Sequence, residues 1–258
     1  MSQIIQQLKS LKILVIGDYC TDIFKYGNCT RLSPEAPVPI FDYISETKTK
    51  GMAGNVYTNL INLHVNAELI KNSEEIHKIR FVDIKSKQHI LRADITDNIN
   101  ELNVNDIIKT DYNAVIISDY DKGFITNKNI KNLIQMFKCP IFVDSKKTDL
   151  SNYENCILKI NESEYNKVQK YPNNYELIVT LGENGAMYNG KIIPTSKVNV
   201  FDVSGAGDTF IASLVIKYLL TNDLEKSIKF ANFCSSIVVT KSGTASIAIE
   251  EVLHELCI

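Results

Sequence analysis

The sequence of 258 residues predicts an α/β protein whose central sheet is mostly parallel and covered by helices on both faces. The first observation is a set of short, β-branched apolar runs such as KILVIGD (12–18) and NAVIISDY (113–120), which are typical of buried strands. The second is that segments with apolar residues at helical spacing, such as TNKNIKNLIQMF (126–137), alternate with these runs. The third is a hydrophobic content of 45%, which is enough for a large core.

The elements follow in an order that fits this class. In the first half we expect a short helix where Ile4, Ile5, Leu8 and Leu11 share a face, a strand at 12–18 that feeds a loop, a strand in VPIFDYI (38–44), a helix at 53–63 and two short strands within 80–94. In the second half we expect strands at 113–120, 140–146 and 156–160, a helix capped by Thr126, a short helix at 161–169, a strand and hairpin at 176–195, and helices near 207–221, 223–240 and 249–256.

No repeat, low-complexity tract or long linker divides the chain, so we expect a single domain over residues 1–258. Two β-rich pieces near 37–47 and 80–93 interrupt the α/β rhythm. We expect them to form a small flap over one edge of the sheet.

Composition excludes several classes of function. The net charge of −2 gives no broad basic face for nucleic acid. The six cysteines form no C-x-x-C pair, and no histidine lies near enough to suggest a zinc site, so we expect reduced thiols. The first apolar run is far too short to span a membrane and lacks the features of a signal peptide. We therefore expect a soluble, cytoplasmic protein with small-molecule ligands.

The stretch DVSGAGDTF (202–210) predicts a phosphate-binding helix start. The first amides of a helix lack internal partners, the helix dipole adds positive potential, and glycines allow close approach. Asp208 would repel a stable phosphate, but it is well placed to take a proton from a hydroxyl that attacks phosphorus. The alternative from the residues alone is an ordinary turn followed by an acid in the first helical turn.

Together with its companions, this stretch resembles the ribokinase-like (PfkB) family of carbohydrate kinases. DVSGAGDTF is similar to the family's C-terminal signature, and KGMAGN (50–55) to its N-terminal glycine-rich signature. The segments SDYDKG, VDSK, NESE, TLGENGA and ANFCSSIVVTKSGTAS resemble later landmarks in the same order. RLSPEAPVP (31–39) is similar to the opening segment of family members that act on D-glycero-β-D-manno-heptose 7-phosphate. The resemblance implies a three-layer sandwich with a β lid, ATP-dependent phosphorylation of that sugar phosphate, and Mg²⁺.

The resemblance also implies roles for particular residues. Asp208 would be the catalytic base, and the amides of Gly205, Ala206 and Gly207 would hold the transferring phosphoryl group. The sugar would contact Asp22, Gly51, Met52 and Asn55, and the basic residues Arg80 and Arg92 of the flap and Lys122 and Lys146 would face phosphates. For each basic residue, a solvated surface position is an equal alternative.

On the nucleotide side, Asn161 and Glu164 of NESE would organise Mg²⁺ and the ATP phosphates, although Asn161 also fits a helix N-cap. Thr180, Gly182 and Gly185 would follow the nucleotide, Asn232 would approach the adenine, and Lys241, Gly243 and Thr244 would close the pocket. Asp202 and nearby carbonyls would shape a site for a monovalent cation such as K⁺. The lid strands of two copies would clasp, giving a homodimer.

Two departures from the family pattern leave the substrate open. Met52 occupies the place of a second adjacent glycine, where it would narrow or repack the sugar pocket. The chain also passes from Ile70 to Arg80 in one polar segment, where relatives carry a further β-α-β stretch. The alternatives are another PfkB-type sugar kinase and a non-catalytic sugar-phosphate sensor.

Overall fold

The computed structural model describes residues 2–96, 99–108 and 110–257. It contains seven α-helices: α1 (Ser2–Ser10), α2 (Ala53–Asn62), α3 (Asn127–Gln135), α4 (Glu162–Tyr165), α5 (Ala206–Thr221), α6 (Leu224–Val238) and α7 (Ile249–Cys257). The strands are β1 (Lys12–Gly17), β2 (Tyr19–Asn28), β3 (Asp42–Met52), β4 (Asn66–Lys71), β5 (His77–Asp83), β6 (His89–Ile95), β7 (Ala114–Asp119), β8 (Ile141–Ser145), β9 (Cys156–Asn161), β10 (Tyr175–Thr180), β11 (Ala186–Tyr188) and β12 (Lys191–Ile193).

Eight strands form the main sheet in the order β12-β11-β10-β9-β8-β7-β1-β4. The six strands from β10 to β4 are parallel, and β11 and β12 add an antiparallel hairpin at one edge. The strand β1 shows why both faces are covered. Ile13 and Val15 pack into one core cluster, and Leu14 and Ile16 into a second on the opposite face. The predicted α/β class is confirmed.

A second sheet of four strands, in the order β3-β2-β5-β6, forms the lid. Its edge strand β3 begins at Asp42, so the expected strand at 38–44 was placed too early. Pro37 and Pro39 explain the difference, because proline has no N–H for a strand ladder. The long strand β2 was expected to be a loop. Its side chains do not alternate regularly between buried and exposed positions, which removes the usual sequence signal.

The lid joins the main sheet through a short connection. The edge strand β4 ends at Lys71, and β5 begins at His77, with no helix in the described residues between them. Asn72 fixes this connection: its side-chain oxygen accepts from the Tyr19 amide over 2.6 Å and its side-chain nitrogen donates to the Glu74 carbonyl over 2.8 Å. The shortened segment therefore leads directly from sheet to lid.

Among the described residues, Cys20, Cys156 and Cys234 are buried free thiols, and Cys29 and Cys139 are half-buried ones. The Cys257 side chain lies outside the described part. No helix in the described residues is long and apolar enough to cross a bilayer.

Candidate active site

The sequence-predicted residues meet where the parallel strands end and α5 begins, in the cleft beneath the lid. The carboxyl ends of parallel strands are the usual place for a ligand in an open α/β sheet. A cavity of about 350 Å³ lies there. Its lining includes Asp208, Gly205, Gly207, Asn161, Thr180, Gly182 and Lys146 from the predicted set, and also Tyr120, Asp144, Lys159 and Val203.

The start of α5 depends on its glycines. Gly205 is the N-cap residue with φ 83°, a conformation that L side chains avoid, and a Cβ there would lie 2.6 Å from Asn55 Nδ2. The Ala206 amide donates to the Val203 carbonyl over 3.3 Å, so it is already engaged. Within the described residues no hydrogen bond occupies the amides of Gly205, Gly207 and Asp208. The amides open to an anion at this helix start are therefore those of Gly205, Gly207 and Asp208, whereas the predicted set had Ala206 in place of Asp208.

The Asp208 carboxylate lines this cavity although the residue is only 4% exposed. Its Oδ2 accepts from Asn55 Nδ2 over 3.0 Å, and its Oδ1 accepts from the Tyr120 hydroxyl over 2.8 Å. Burial raises the pKa of Asp208 to about 6, while both hydrogen bonds favour the ionised form. The carboxylate is thus ionised at neutral pH and has a pKa suited to a general base. Asn55, expected to contact sugar, holds this carboxylate instead.

Lys159 is a site residue that the sequence analysis missed. Its Nζ donates to Asp144 Oδ2 over 2.8 Å, and both side chains are almost fully buried. A Cβ on Gly207 would lie 2.9 Å from Lys159 Nζ, so the ammonium lies directly beneath the start of α5. The only sequence signal was a lysine in the otherwise apolar strand CILKI. A buried lysine next to free helix amides adds positive charge to an anion site.

Lys146 belongs to the same network of ion pairs as Lys159 and Asp144. Its Nζ bonds to Asp144 Oδ1 over 2.8 Å and to Glu164 Oε1 over 2.7 Å. Burial opposes the charged form, but the two carboxylates outweigh it and raise the pKa of Lys146. Its partner Asp144 is also desolvated, and the two lysines hold the pKa of that carboxyl below its usual value. Lys146 therefore remains charged beside the cavity.

Asn161 and Glu164 form a capping box at the start of α4. Asn161 Oδ1 accepts from the Glu164 amide over 2.9 Å, and Glu164 Oε2 accepts from the Asn161 amide over 2.8 Å. The N-cap interpretation of Asn161 is therefore confirmed. Lys146 and the Asn161 side-chain amide both bond to Glu164 Oε1. Asn161 and Glu164 therefore fit a Mg²⁺ ion that is held mainly by ATP phosphates and water, with little direct ligation by the protein.

On the lid side, Asp22 is 4% exposed and pairs with Arg80 of β5. Thr244 Oγ1 donates to its other oxygen over 3.1 Å. Gly51 of β3 is opposite Cys20 in the register, and a Cβ there would collide with the Asp22 carboxylate. Met52 has φ 55° and a buried side chain that packs with Cys20, Ile76 and Tyr120.

Two basic residues of the predicted set form ion pairs within the lid. Arg92 is exposed and donates two hydrogen bonds to Asp94, Nε over 2.7 Å and Nη2 over 2.6 Å. It lies on the face of the lid, and no hydrogen bond or ion pair among the described residues joins it to Asp208, the candidate catalytic base. Arg80 is buried in its pair with Asp22, so each of the two arginines is paired with a carboxylate of the lid.

A second, mostly apolar cavity of about 390 Å³ adjoins the first and shares Thr180, Gly182, Val203 and Gly207 with it. Gly185 and Asn232 also line this cavity. The Asn232 amide donates to the Ile193 and Pro194 carbonyls over 2.9 and 3.3 Å. Size, apolar walls and the adjoining anion site suit a nucleotide base and ribose.

Gly243 does not line this cavity, contrary to the prediction. Its amide donates to Asp202 Oδ2 over 3.1 Å, and a Cβ there would lie 3.3 Å from the Phe24 ring of the lid. The other oxygen of Asp202 accepts from the Ser204 amide over 2.8 Å. Asp202 therefore ties the loop before α5 to the loop that carries Gly243, which holds that glycine against the lid.

The profile of the pfkB family carbohydrate kinases matches residues 43–251, which is most of the chain. Similar curated proteins include the bifunctional protein HldE of Sulfurimonas denitrificans, 33% identical over 301 aligned positions that cover 93% of this chain and 63% of that protein. HldE of Campylobacter jejuni (strain RM1221) is 33% identical over 295 positions, covering 93% and 64%. The chain thus spans less than two thirds of these relatives. Because the alignments exceed the chain in length, the relatives also carry residues that it lacks.

Solved structures share the fold at low sequence identity. Ribokinase from Thermotoga maritima superimposes with a TM-score of 0.68 at 17% identity, covering 96% of this chain and 100% of that one. Phosphofructokinase-2 from Escherichia coli, in complex with potassium, superimposes with a TM-score of 0.74 at 15% sequence identity, covering 96% of this chain and 99% of that one.

The fold is therefore ribokinase-like, as the sequence predicted. Membership of a kinase family implies the use of ATP, typically with Mg²⁺. The chain belongs to the pfkB family of carbohydrate kinases.

Proposed function

We propose that this chain transfers the terminal phosphoryl group of ATP to a hydroxyl of a sugar phosphate, with D-glycero-β-D-manno-heptose 7-phosphate as the first candidate. The observation that carries the proposal is the position of Asp208. Its carboxylate lines the anion cavity beside free helix amides, and that cavity adjoins the apolar one. An acceptor hydroxyl in the cleft can thus meet both the base and the phosphoryl group.

The proposed reaction balances without another reactant. The acceptor oxygen forms a bond to the terminal phosphorus while the bond from phosphorus to the ADP oxygen breaks. Asp208 takes the hydroxyl proton, and the amides of Gly207 and Asp208 together with Lys159 stabilise the negative charge on the phosphoryl oxygens. Mg²⁺, when bound, would neutralise charge on the ATP phosphates near Asn161 and Glu164.

Charges on the lid support a phosphorylated acceptor. Lys78 pairs with Asp94 across β5 and β6, and Arg80 pairs with Arg92, so these side chains lie on one face of the lid. In the adjoining strand, Asp22 is opposite Lys78 and lies on that same face. Asp22 also accepts a hydrogen bond from Thr244, in the segment after α6, so this face of the lid is turned toward the rest of the molecule. Cations on this face suit a phosphate carried by the sugar. The similarity of RLSPEAPVP to heptose 7-phosphate kinases supports the particular sugar.

The test is ADP release by the purified chain with Mg²⁺–ATP and a panel of sugars and sugar phosphates, with ³¹P NMR of the product. We expect turnover with heptose 7-phosphate and its loss in Asp208→Asn. Binding of the sugar phosphate by calorimetry, without any Asp208-dependent ADP release, would support the sensor function instead. Faster turnover of another sugar would keep the kinase and replace the substrate.

We also propose K⁺ activation and a dimer. K⁺ near Asp202 would add positive charge to the loop before α5, so activity in KCl should exceed that in tetramethylammonium chloride. The lid exposes Tyr43, Ile44 and Leu91, each more than half exposed, and we expect a second copy to cover them. Light scattering should then give a dimer for the wild type and a monomer for a variant with Ile44→Lys and Leu91→Lys. A wild-type monomer would contradict the dimer.

A further inference from the structure

Tyr120 lies between the lid and the phosphate side of the site, at the end of β7. Its hydroxyl donates to Asp208 Oδ1 over 2.8 Å. Lys78 of the lid strand β5 lies 5.1 Å from the centroid of its ring, and Lys146, after β8, lies at the same distance. Both ammonium groups are within the range of a cation–π interaction. The ring is therefore held by charged groups from two different layers of the molecule.

The backbone of Tyr120 is fixed as firmly as its ring. Its amide donates to Oδ2 of Asp18 over 2.7 Å, and the Lys122 amide donates to the same oxygen over 3.3 Å. Asp18 is fully buried at the end of β1, so the loop after β7 is anchored to the centre of the main sheet. A hydroxyl on such an anchored residue has little freedom to leave its acceptor.

Proton positions follow from the surroundings. Burial, followed by the charges of Asp208 and Asp144, raises the pKa of Tyr120 well above its ordinary value, so the phenol remains a donor. Asn55 donates to the other oxygen of Asp208. Each carboxylate oxygen accepts one of these bonds and retains a lone pair for an incoming hydroxyl.

Other charged and titratable groups also face Asp208, and each belongs to a different element. Asp144 of β8 disfavours the ionised form of Asp208, and Lys159 of β9 favours it. Cys20 of the lid strand β2 is near enough to feel the charge of Asp208, but burial raises the pKa of that thiol to about 12, so it is neutral. Among these groups Tyr120 is the one that donates a hydrogen bond to the carboxylate.

We propose that Tyr120 is a positioning residue for the phosphoryl transfer: its hydroxyl orients the Asp208 carboxylate toward the acceptor and keeps it ionised. This inference rests on the proposed role of Asp208 as the base. It adds a residue outside the glycine signatures, whose ring lies between Lys78 of the lid and Lys146 after β8.

The test compares Tyr120→Phe with Tyr153→Phe. Each variant removes one buried hydroxyl that donates to a carboxylate, but Tyr153 donates to Asp119, outside the candidate cavity. For Tyr120→Phe we expect kcat to fall about tenfold or more, as for loss of a hydrogen bond to a charged group. We also expect the acid limb of the pH profile to move to higher pH, with an unchanged KM for ATP. Tyr153→Phe should retain the wild-type pH profile even if it is less stable.

A second substitution, with the opposite expected effect on the pH profile, tests the proposal if Tyr120→Phe does not fold. Site-specific 3,5-difluorotyrosine at position 120 makes the phenol a stronger donor, so the acid limb should move to lower pH than in the wild type. If the wild type is active and Asp208→Asn is inactive, but neither change at position 120 moves the limb, the role of Tyr120 is overturned while the kinase assignment stands. If Asp208→Asn retains wild-type ADP release, both proposals fail.

Discussion

The side-chain amide of Asn55 donates a hydrogen bond to Oδ2 of Asp208 over 3.0 Å, although 153 positions separate the two residues. This bond joins the first turn of α2 to the first turn of α5. A Cβ on Gly205 would lie 2.6 Å from the same Asn55 nitrogen, so the N-terminal and C-terminal glycine signatures are in direct contact. The candidate base is therefore held by the segment that follows the lid, which places the sugar side and the phosphate side within one hydrogen bond of each other.

The first prediction concerns the pH dependence of activity. The base must be ionised, and burial raises the pKa of Asp208 to about 6, so kcat/KM should fall as the pH decreases through about 6. Asp208→Asn should lower kcat by roughly 10²–10⁴-fold. It removes a buried charge, so we do not expect it to lower the free energy of unfolding. Thermal unfolding of the variant is the control, and an acid limb near the ordinary aspartate pKa of 3.8 would contradict the prediction.

The second prediction separates backbone strain from collision in the active site. Gly205→Ala should lose activity and stability, because φ is 83° and the new Cβ would meet Asn55. Gly190→Ala is the matched control: φ is 73°, but nothing lies within 4 Å of a new Cβ. Each should cost about 1 kcal/mol of unfolding free energy or more from strain, and only Gly205→Ala should lower ADP release. Equal activity of the two variants would argue against an anion site at Gly205.

The third prediction tests Lys159 as the cation of the phosphate site. Lys159→Met should lower kcat by roughly 10²-fold or more with little change in the KM for sugar. The variant also leaves Asp144 with one partner fewer and should be less stable, by up to about 3–5 kcal/mol. Adding Asp144→Asn removes the uncompensated charge, so the double variant should regain stability without regaining activity. Recovery of activity in the double variant would show that Lys159 has only a structural role.

The fourth prediction tests the lid cations as partners of the sugar's phosphate. Lys78→Met and Arg92→Met should each raise the KM for the sugar phosphate about tenfold or more, since each removes a charged partner. Lys85→Met, an exposed change in the turn of the same lid, is the control. Turnover of the corresponding sugar without phosphate should not change in any of the three. If activity falls equally with the sugar phosphate and with the sugar without phosphate, the lid cations act in lid closure and do not bind the phosphate.

The fifth prediction concerns the departure at Met52. Its φ of 55° favours glycine, but its buried side chain fills space beside Cys20 and Ile76. Met52→Ala and Met52→Gly remove the same packing, but only glycine relieves the strained conformation. Denaturant unfolding should therefore show Met52→Gly to be more stable than Met52→Ala by about 1 kcal/mol, and both should keep measurable kinase activity. A more stable alanine variant would contradict the strain.

The fold was predictable wherever burial leaves a strong local pattern. Strands β1, β7 and β8 are continuous apolar runs because both of their faces are covered, and α5 begins at the glycines that mark its cap. The strand β2 and the edge strand β4 were missed, since partly exposed strands lack such runs. The start of β3 was predicted too early because the apolar residues alternate at 38–44, although Pro39 in that segment has no N–H for a strand ladder.

The sequence by itself determined the chemistry available to this protein: a carboxylate and flexible amides at one helix start, in the order of a carbohydrate kinase. Local spacing can specify this because a helix cap involves neighbouring residues only. Tertiary structure alone decided that Asn55 and Tyr120 hold Asp208, that Lys159 underlies Gly207, and that Gly243 lies against the lid. These are contacts between distant segments, which sheet order and burial create and local spacing does not encode.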